Sequence, residues 1–530
     1  MLAVGALASA AAARDFEYQG IWYTVLDEEA KTCETRAGKP SDDGNSILDS
    51  FITGNSGGES NQTIPSSVID GNTSYTVTAI GKGSFYKNNM IETIDLPGTL
   101  ISFGDSAFFG SDIRAFNIPA SVEYIGKRAF GETLRRESFS VDADNRYYLL
   151  EDNILYNKDK STLIEYFGHE IEITLPSDVK RIEDYAFYGC GLQQIDLGES
   201  VAEIGESAFE RCYGLKRVDL GESLTVIGDN AFMYCYGLEN INIPNSVTEI
   251  GASAFNSCSS LTGIEIPNSL SVISDNTFNS CRSLTTVVIP NSVTTIGSYA
   301  FNSCAGLTEL VIPNSVTEIG QAAFFGCSNL TSVKIPNSIT YIRRSTFGDC
   351  ENLAQVEIPN SVTGIGQFAF SDCKSLTSIV IPESVTVIED SAFDIDHGES
   401  ALTDITLPST LTDLGEYVFS GQDNVKNVYY GADEPIRAYF NTFSEKCYKD
   451  AVLHVAAEAV DKIKSTVPWS LFANIEQSGI EEVEAEAAED CEVYTLQGVR
   501  AAKPLKPGVY VSNGCKMIVK YLLRENTRNF

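Results

Sequence analysis

The chain has 530 residues, 43% of them hydrophobic, and carries 72 Asp and Glu against 37 Lys and Arg, a formal net charge of -35. That length and apolar content suffice for a large ordered core, whereas so negative a field repels phosphate backbones and anionic lipid heads, which excludes nucleic-acid and peripheral membrane binding from the expected functions. No apolar run approaches the roughly 18 residues of a membrane-spanning helix.

In chain order, the opening "MLAVGALASAAAARDF" reads as a signal-peptide remnant over residues 1–13. A short apolar run precedes the small residues Ala8, Ser9 and Ala10, although the positive n-region is missing. This predicts export and keeps the segment out of the fold. Residues 14–69, with "FEYQGIWYTVLDEEAKTCET", precede the repeats.

From residue 70 to 425 one phrase recurs. Phe209, Phe232, Phe255, Phe278, Phe301, Phe324, Phe347, Phe370 and Phe393 stand 23 residues apart, and so do Pro244, Pro267, Pro290, Pro313, Pro336, Pro359 and Pro382. A fixed period of this length is the mark of a solenoid, in which each repeat is one coil stacked on the last. Weaker copies end at Phe85, Phe108, Phe130, Phe187 and Phe419. The expected fold class is an α+β repeat solenoid of about fourteen coils.

Within a coil, "LTGIEIPNS" alternates as a half-buried strand, with Leu261, Ile264 and Ile266 inward and Gly263 and Glu265 outward. Pro267 ends it, and Asn268 and Ser269 supply turn chemistry. A second short strand, "VTEIG", follows in neighbouring coils. The run "ASAFNSC" is expected to make one helical turn that presses Phe255 and Cys258 inward. Residues 147–167 break the period and alternate around Asn157 to Lys160, which predicts an inserted hairpin.

Cys212, Cys235, Cys258, Cys281, Cys304, Cys327, Cys350 and Cys373 also keep the 23-residue spacing. They form one column of buried, reduced thiols, because stacked residues have parallel Cβ vectors that suit a disulfide poorly. There is no CxxC pair, and His169, His397 and His454 are not spaced as ligands. Nor is there a G-x-S-x-G elbow, a P-loop or an H-E-x-x-H. No catalytic residue, cofactor or metal ligand is assigned, and an enzyme is not expected.

Residues 426–478, with "AVLHVAAEAVDKIKSTVPWSLFANI", follow the repeats, whose final apolar layer would face water without a cap. The acidic run at 479–491 reads as a solvated linker. Residues 492–530 read as a small β tail with Asn513-Gly514 as a two-residue hairpin turn.

The frame "IPNSVTxIGxxAFxxCxxLTxIxIP" resembles the BspA-like subfamily of bacterial leucine-rich repeats, over roughly residues 70 to 425. The resemblance implies a leucine-rich repeat array with a β-rich N-terminal cap over residues 14–69 and a C-terminal strand-helix cap over residues 426–478, in which Trp469 and Phe472 cover the last coil, in secreted or surface proteins implicated in adhesion and host interaction. The stretch "KPGVYVSNGCKMIVK" is similar to the C-terminal sorting modules of bacterial type IX secretion cargo, which implies sorting or anchoring; a small structural β module is the other reading.

Together these features predict a monomeric secreted or cell-surface protein that binds an extracellular protein or glycan. An enzyme or enzyme partner with its site in the unrepeated ends, or a purely structural stalk, are the alternatives. Strand alternation places Asn242, Glu265, Val288, Val311, Lys334, Glu357 and Val380 at equivalent outward positions, as one band across the sheet. The band from Glu265 to Val380 is the candidate ligand-binding set, with Val288, Val311 and Val380 apolar where water is expected. The β propensity of valine is the competing explanation.

Overall fold

In the computed structural model, side chains are described for residues 14–36, 61–131, 138–396 and 398–477, and four further strands between 481 and 520 by their backbone alone. The expected leader at 1–13, His397 and the Asn513-Gly514 turn lie outside the described residues. The chain divides into two compact units, Met1–Ser375 and Leu376–Phe530.

Each regular coil of the first unit contributes two short strands to parallel sheets. Gly263–Glu265 pairs with Thr286–Val288, Glu265 lying opposite Val288, and Val272–Ile273 pairs with Thr295–Ile296. The register equals the sequence period, so like residues stack on like. Leu261, Ile264 and Ile266 are buried while Glu265 is exposed. After Pro267 the chain turns, and the Leu270 N–H closes the turn by donating to the Pro267 carbonyl at 3.1 Å.

The third side of the coil is not the expected helical turn. Ala254, Asn256 and Cys258 donate their N–H groups three residues back, to Gly251, Ser253 and Phe255, at 3.4, 3.0 and 3.1 Å. The intervening Ser253, Phe255 and Ser257 donate instead to Asp275, Thr277 and Asn279 of the following coil, at 2.9, 2.9 and 2.7 Å. A helix would retain every N–H within itself; here alternate groups bond the neighbour, which requires Ser253 and Ser257 to adopt left-handed φ values of 58° and 63°. The α component of the expected class is corrected accordingly. Among the described residues, α-helix is confined to Glu445–Asp450 and Val460–Ser465. Where the coil enters this side, a Cβ on Gly251 would lie 2.4 Å from the Asp229 nitrogen of the coil before it, so glycine permits the close approach.

The alternating turns hold the phenylalanines in one stack. Phe255, Phe278, Phe301 and Phe324 follow one another at centroid separations of 5.5, 5.4 and 5.5 Å, with planes within 14° of parallel. Beside them the thiols of Cys258, Cys281 and Cys304 donate to the carbonyls of Phe232, Phe255 and Phe278 at 3.3, 3.2 and 3.1 Å. All eight cysteines of the column are buried and free, and Cys190 extends it by one, its Sγ 3.3 Å from that of Cys212. Alkylation under denaturing, non-reducing conditions, followed by mass measurement, should therefore label every cysteine from Cys212 to Cys373. A disulfide between neighbouring coils would overturn this packing.

At the N-terminal end, Asp15–Tyr18, Ile21–Asp27 and Thr32–Arg36 form an antiparallel meander, and Thr32–Arg36 runs parallel to Thr73–Ile80. That strand passes to Ser102–Phe103 and then Tyr124–Ile125, so the opening sheet grows directly into the coils. Tyr23, Tyr75 and Phe16 fill its core. The Arg14 guanidinium bonds Asp70 at 2.6 Å, and the Tyr75 hydroxyl donates to Glu28 at 2.6 Å.

The period-breaking segment is built into the stack. Tyr148–Glu151 pairs antiparallel with Ile154–Asn157, which pairs antiparallel with Thr162–Tyr166. The last of these then runs parallel to Arg181–Ile182, in the place a coil's second strand would occupy. Its aromatic residues bridge the phenylalanine stack: Phe167 packs edge-on against Phe130 at 5.5 Å and Tyr166 lies 5.3 Å from Phe187.

In the second unit, Ser378–Val380, Asp404–Leu407, Asn427–Tyr430, Val452–Val455 and Asn474–Gln477 make one parallel sheet. Phe393, Phe419 and Phe443 stack at 5.4 and 5.3 Å, and Phe472 closes on Phe443 at 5.3 Å. Trp469 stacks on Tyr430 at 4.7 Å and donates its indole N–H to the Ile436 carbonyl at 2.9 Å, so a large aromatic group is buried with its one donor satisfied. Farther on, Gly508–Ser512 and Cys515–Lys520 pair antiparallel with Ser512 opposite Cys515, and Glu481–Glu484, inside the acidic run, pairs parallel with Cys515–Lys520.

Candidate binding face

Alternation along Gly263–Glu265, Thr286–Val288, Glu309–Val311, Ser332–Lys334 and Gln355–Glu357 turns every second side chain away from the core. Glu265 lies opposite Val288, Val311 opposite Lys334, and Lys334 opposite Glu357, while the strands bearing Val288 and Val311 touch. Five of the six expected residues thus form one row on the face of the first unit. Val380 belongs to the second unit, where it is half-buried and lies opposite Thr406.

The row is chemically uneven. Val288 is 57% and Val311 77% exposed, against 44% for Val272 on the second sheet. Two neighbouring valines this open leave apolar surface that no contact among the described residues covers. On one side stands the Lys334–Glu357 pair, at 3.6 Å between side chains more than 70% exposed, a geometry that contributes little to stability. The side chains of Glu265 and Glu309 are exposed, and their carboxylates have no hydrogen-bond or ion-pair partner among the described residues. Threonines border the row: the hydroxyls of Thr285 and Thr331 donate to the carbonyls of Thr262 and Thr308, at 3.0 and 3.2 Å, and so are bound within the solenoid.

A second outward group emerges only in three dimensions. Tyr429 and His454 stack at 4.6 Å on the sheet of the second unit. His454 Nε2 lies 3.0 Å from Asn427 Oδ1, and Asn427 donates its side-chain amide to Asp404 at 3.0 Å. The sequence shows only that His454 is not spaced as a metal ligand; the fold places it half-buried in the strand Val452–Val455. The tyrosine and histidine are 25 residues apart, not 23, so the period does not align them.

No group of three metal-binding side chains occurs among the described residues, and no described helix is long and apolar enough to cross a membrane. What the described residues present is a sheet face of outward side chains open to contact.

Two parallel strands per coil, a repeating Leu, Ile and Phe core and turns that bond coil to coil define a leucine-rich repeat solenoid. The family model for the BspA type leucine rich repeat region matches residues 65–157, 168–285, 271–398 and 340–448, and the chain belongs to this family. Among solved structures, a leucine-rich repeat protein from Bacteroides ovatus is 25% identical, over 79% of this chain and 95% of that one, with a TM-score of 0.42. The pneumococcal vaccine antigen PcpA is 19% identical, over 88% and 99% of the two chains, with a TM-score of 0.43. A leucine rich cell surface protein from Faecalibacterium prausnitzii is 22% identical, over 80% and 96%, with a TM-score of 0.29. Among curated proteins none matches.

Proposed function

We propose that this chain is a secreted or cell-surface binding protein whose outward sheet row contacts an extracellular protein or glycan, and that the contact serves adhesion to host or neighbouring cells. The observation that carries this reading is the adjacent, open pair Val288 and Val311 on an otherwise polar strand face. Family membership supports the binding role, since stacked repeats create extended surfaces for contact. Export is supported by the apolar opening at 1–13 and by the tail at 492–530, which resembles a sorting module and would direct or anchor the chain.

The test is an array of extracellular matrix proteins and oligosaccharides probed with wild type and with Val288→Thr/Val311→Thr, combined with protease shaving of intact source cells. Threonine keeps shape and β propensity but replaces apolar surface with hydroxyls that a contact would have to desolvate. Binding to the array should fall at least about tenfold while the melting temperature stays nearly constant. Shaving should remove the protein from cells. Undiminished binding would exclude the row, and protection from protease would exclude surface exposure.

A further inference from the structure

The charges around the valine pair select among partners. Resting on the reading of this row as the contact surface, we propose that its partner is a protein segment rich in lysine or arginine, whose alkyl stems cover Val288 and Val311 while their cationic heads reach Glu265 and Glu309.

Glu265 is one strand, about 4.8 Å, from Val288, and Glu309 is two residues, about 6.8 Å, from Val311 along its own strand. Both spans suit a side chain that packs a hydrocarbon stem on apolar surface and extends its charge to the edge. The nearest cation of the row, Lys334, already faces Glu357 at 3.6 Å, so it does not offset these carboxylates. Farther along the same face Asp219 and Asp196 are also exposed, and the whole chain carries a net charge of -35. Arg217 and Lys334 are exposed on this face as well, yet the net field disfavours an acidic partner, whereas a basic one is drawn in and aligned. A sugar would find no aromatic ring among the outward residues of Gly263–Glu265, Thr286–Val288, Glu309–Val311 and Ser332–Lys334 to stack upon.

The experiment uses the full chain and three probes: a short peptide of alternating valine and lysine, its valine–glutamate counterpart, and a neutral oligosaccharide mixture. Four proteins are compared, namely wild type, Glu265→Gln/Glu309→Gln, Val288→Thr/Val311→Thr, and a control with Glu249→Gln/Asp413→Asn. The control removes the same charge from the exposed second strands of two coils. The lysine peptide should bind wild type, lose about fivefold on Glu265→Gln/Glu309→Gln and at least about tenfold on the threonine variant, and change less than about twofold on the control. Equal losses for both neutralised variants would show diffuse attraction to an acidic protein and overturn the basic partner. Binding of the glutamate peptide or the oligosaccharides that depends on the valines would also overturn it, yet leave the row standing as the contact surface. Insensitivity of all binding to the threonine changes would overturn both.

Discussion

Phe301→Ala should cost about 3 to 5 kcal/mol of local stability, the range for emptying a buried aromatic site. Phe301 is fully buried between Phe278 and Phe324, at 5.4 and 5.5 Å, with both faces covered by rings. Its own N–H and the Ala323 carbonyl make one of the 2.8 Å bonds that join coil to coil. The cavity would therefore sit where the lateral side chain stack and the inter-coil backbone bonds coincide, and each coil depends on both of its neighbours for burial. Hydrogen exchange should speed up at residues 278–324 and much less near Phe209 or Phe85. A uniform response along the chain, or none, would show that the stack does not hold the coils together as the ring contacts indicate. A Phe301→Leu variant, which refills most of the volume, should recover much of the loss.

How far the fold could be read from the residues follows from what each part of the coil asks of them. The strands ask for alternation and the stack asks for size, and both leave a repeating imprint: Ile264 inward and Glu265 outward, Phe every 23 residues. The turn side asks only for backbone freedom. Its left-handed positions are filled by Arg128, Ser207, Ser253, Tyr299 and Phe368, which share no size, charge or polarity. What they share is that none is β-branched, the residue class for which positive φ is most costly. That signal is an omission, and an omission is easily overlooked beside "AFNSC", which reads as a helical turn. Inter-coil hydrogen bonds set the conformation there, and local propensity follows. The candidate face divides in the same way. Val288 and Val311 could be placed because period and alternation suffice, whereas the Tyr429–His454 stack depends on a 25-residue step that only the sheet register reveals.

High pH should weaken the first unit through its thiol column, and the effect should be large. Burial pushes the thiols of Cys281 and Cys327 up from their ordinary 9.0 to about 12, the hydrogen bonds from the backbones of Cys258 and Cys304 being the smaller, opposing influence. The same desolvation raises Cys258 and Cys304 well above that value. Because the folded state binds the thiol proton more tightly than the unfolded state, the stabilisation is fully present below pH 9 and is lost as pH rises from 9 through 12. Each such thiol should take away roughly 2 kcal/mol between pH 9 and 11. In the Cys281→Ala/Cys327→Ala variant two of these groups are gone. Small cavities should make it less stable than wild type at pH 7, by about 1 to 2 kcal/mol per site, but its stability should fall less steeply in alkali, so that the two curves converge above pH 10. Denaturant unfolding of both proteins at a series of pH values from 7 to 11 reads this directly. Parallel curves would mean that the column is not desolvated in the folded chain, and the tight closure of coil upon coil along the phenylalanine stack would have to be abandoned with it.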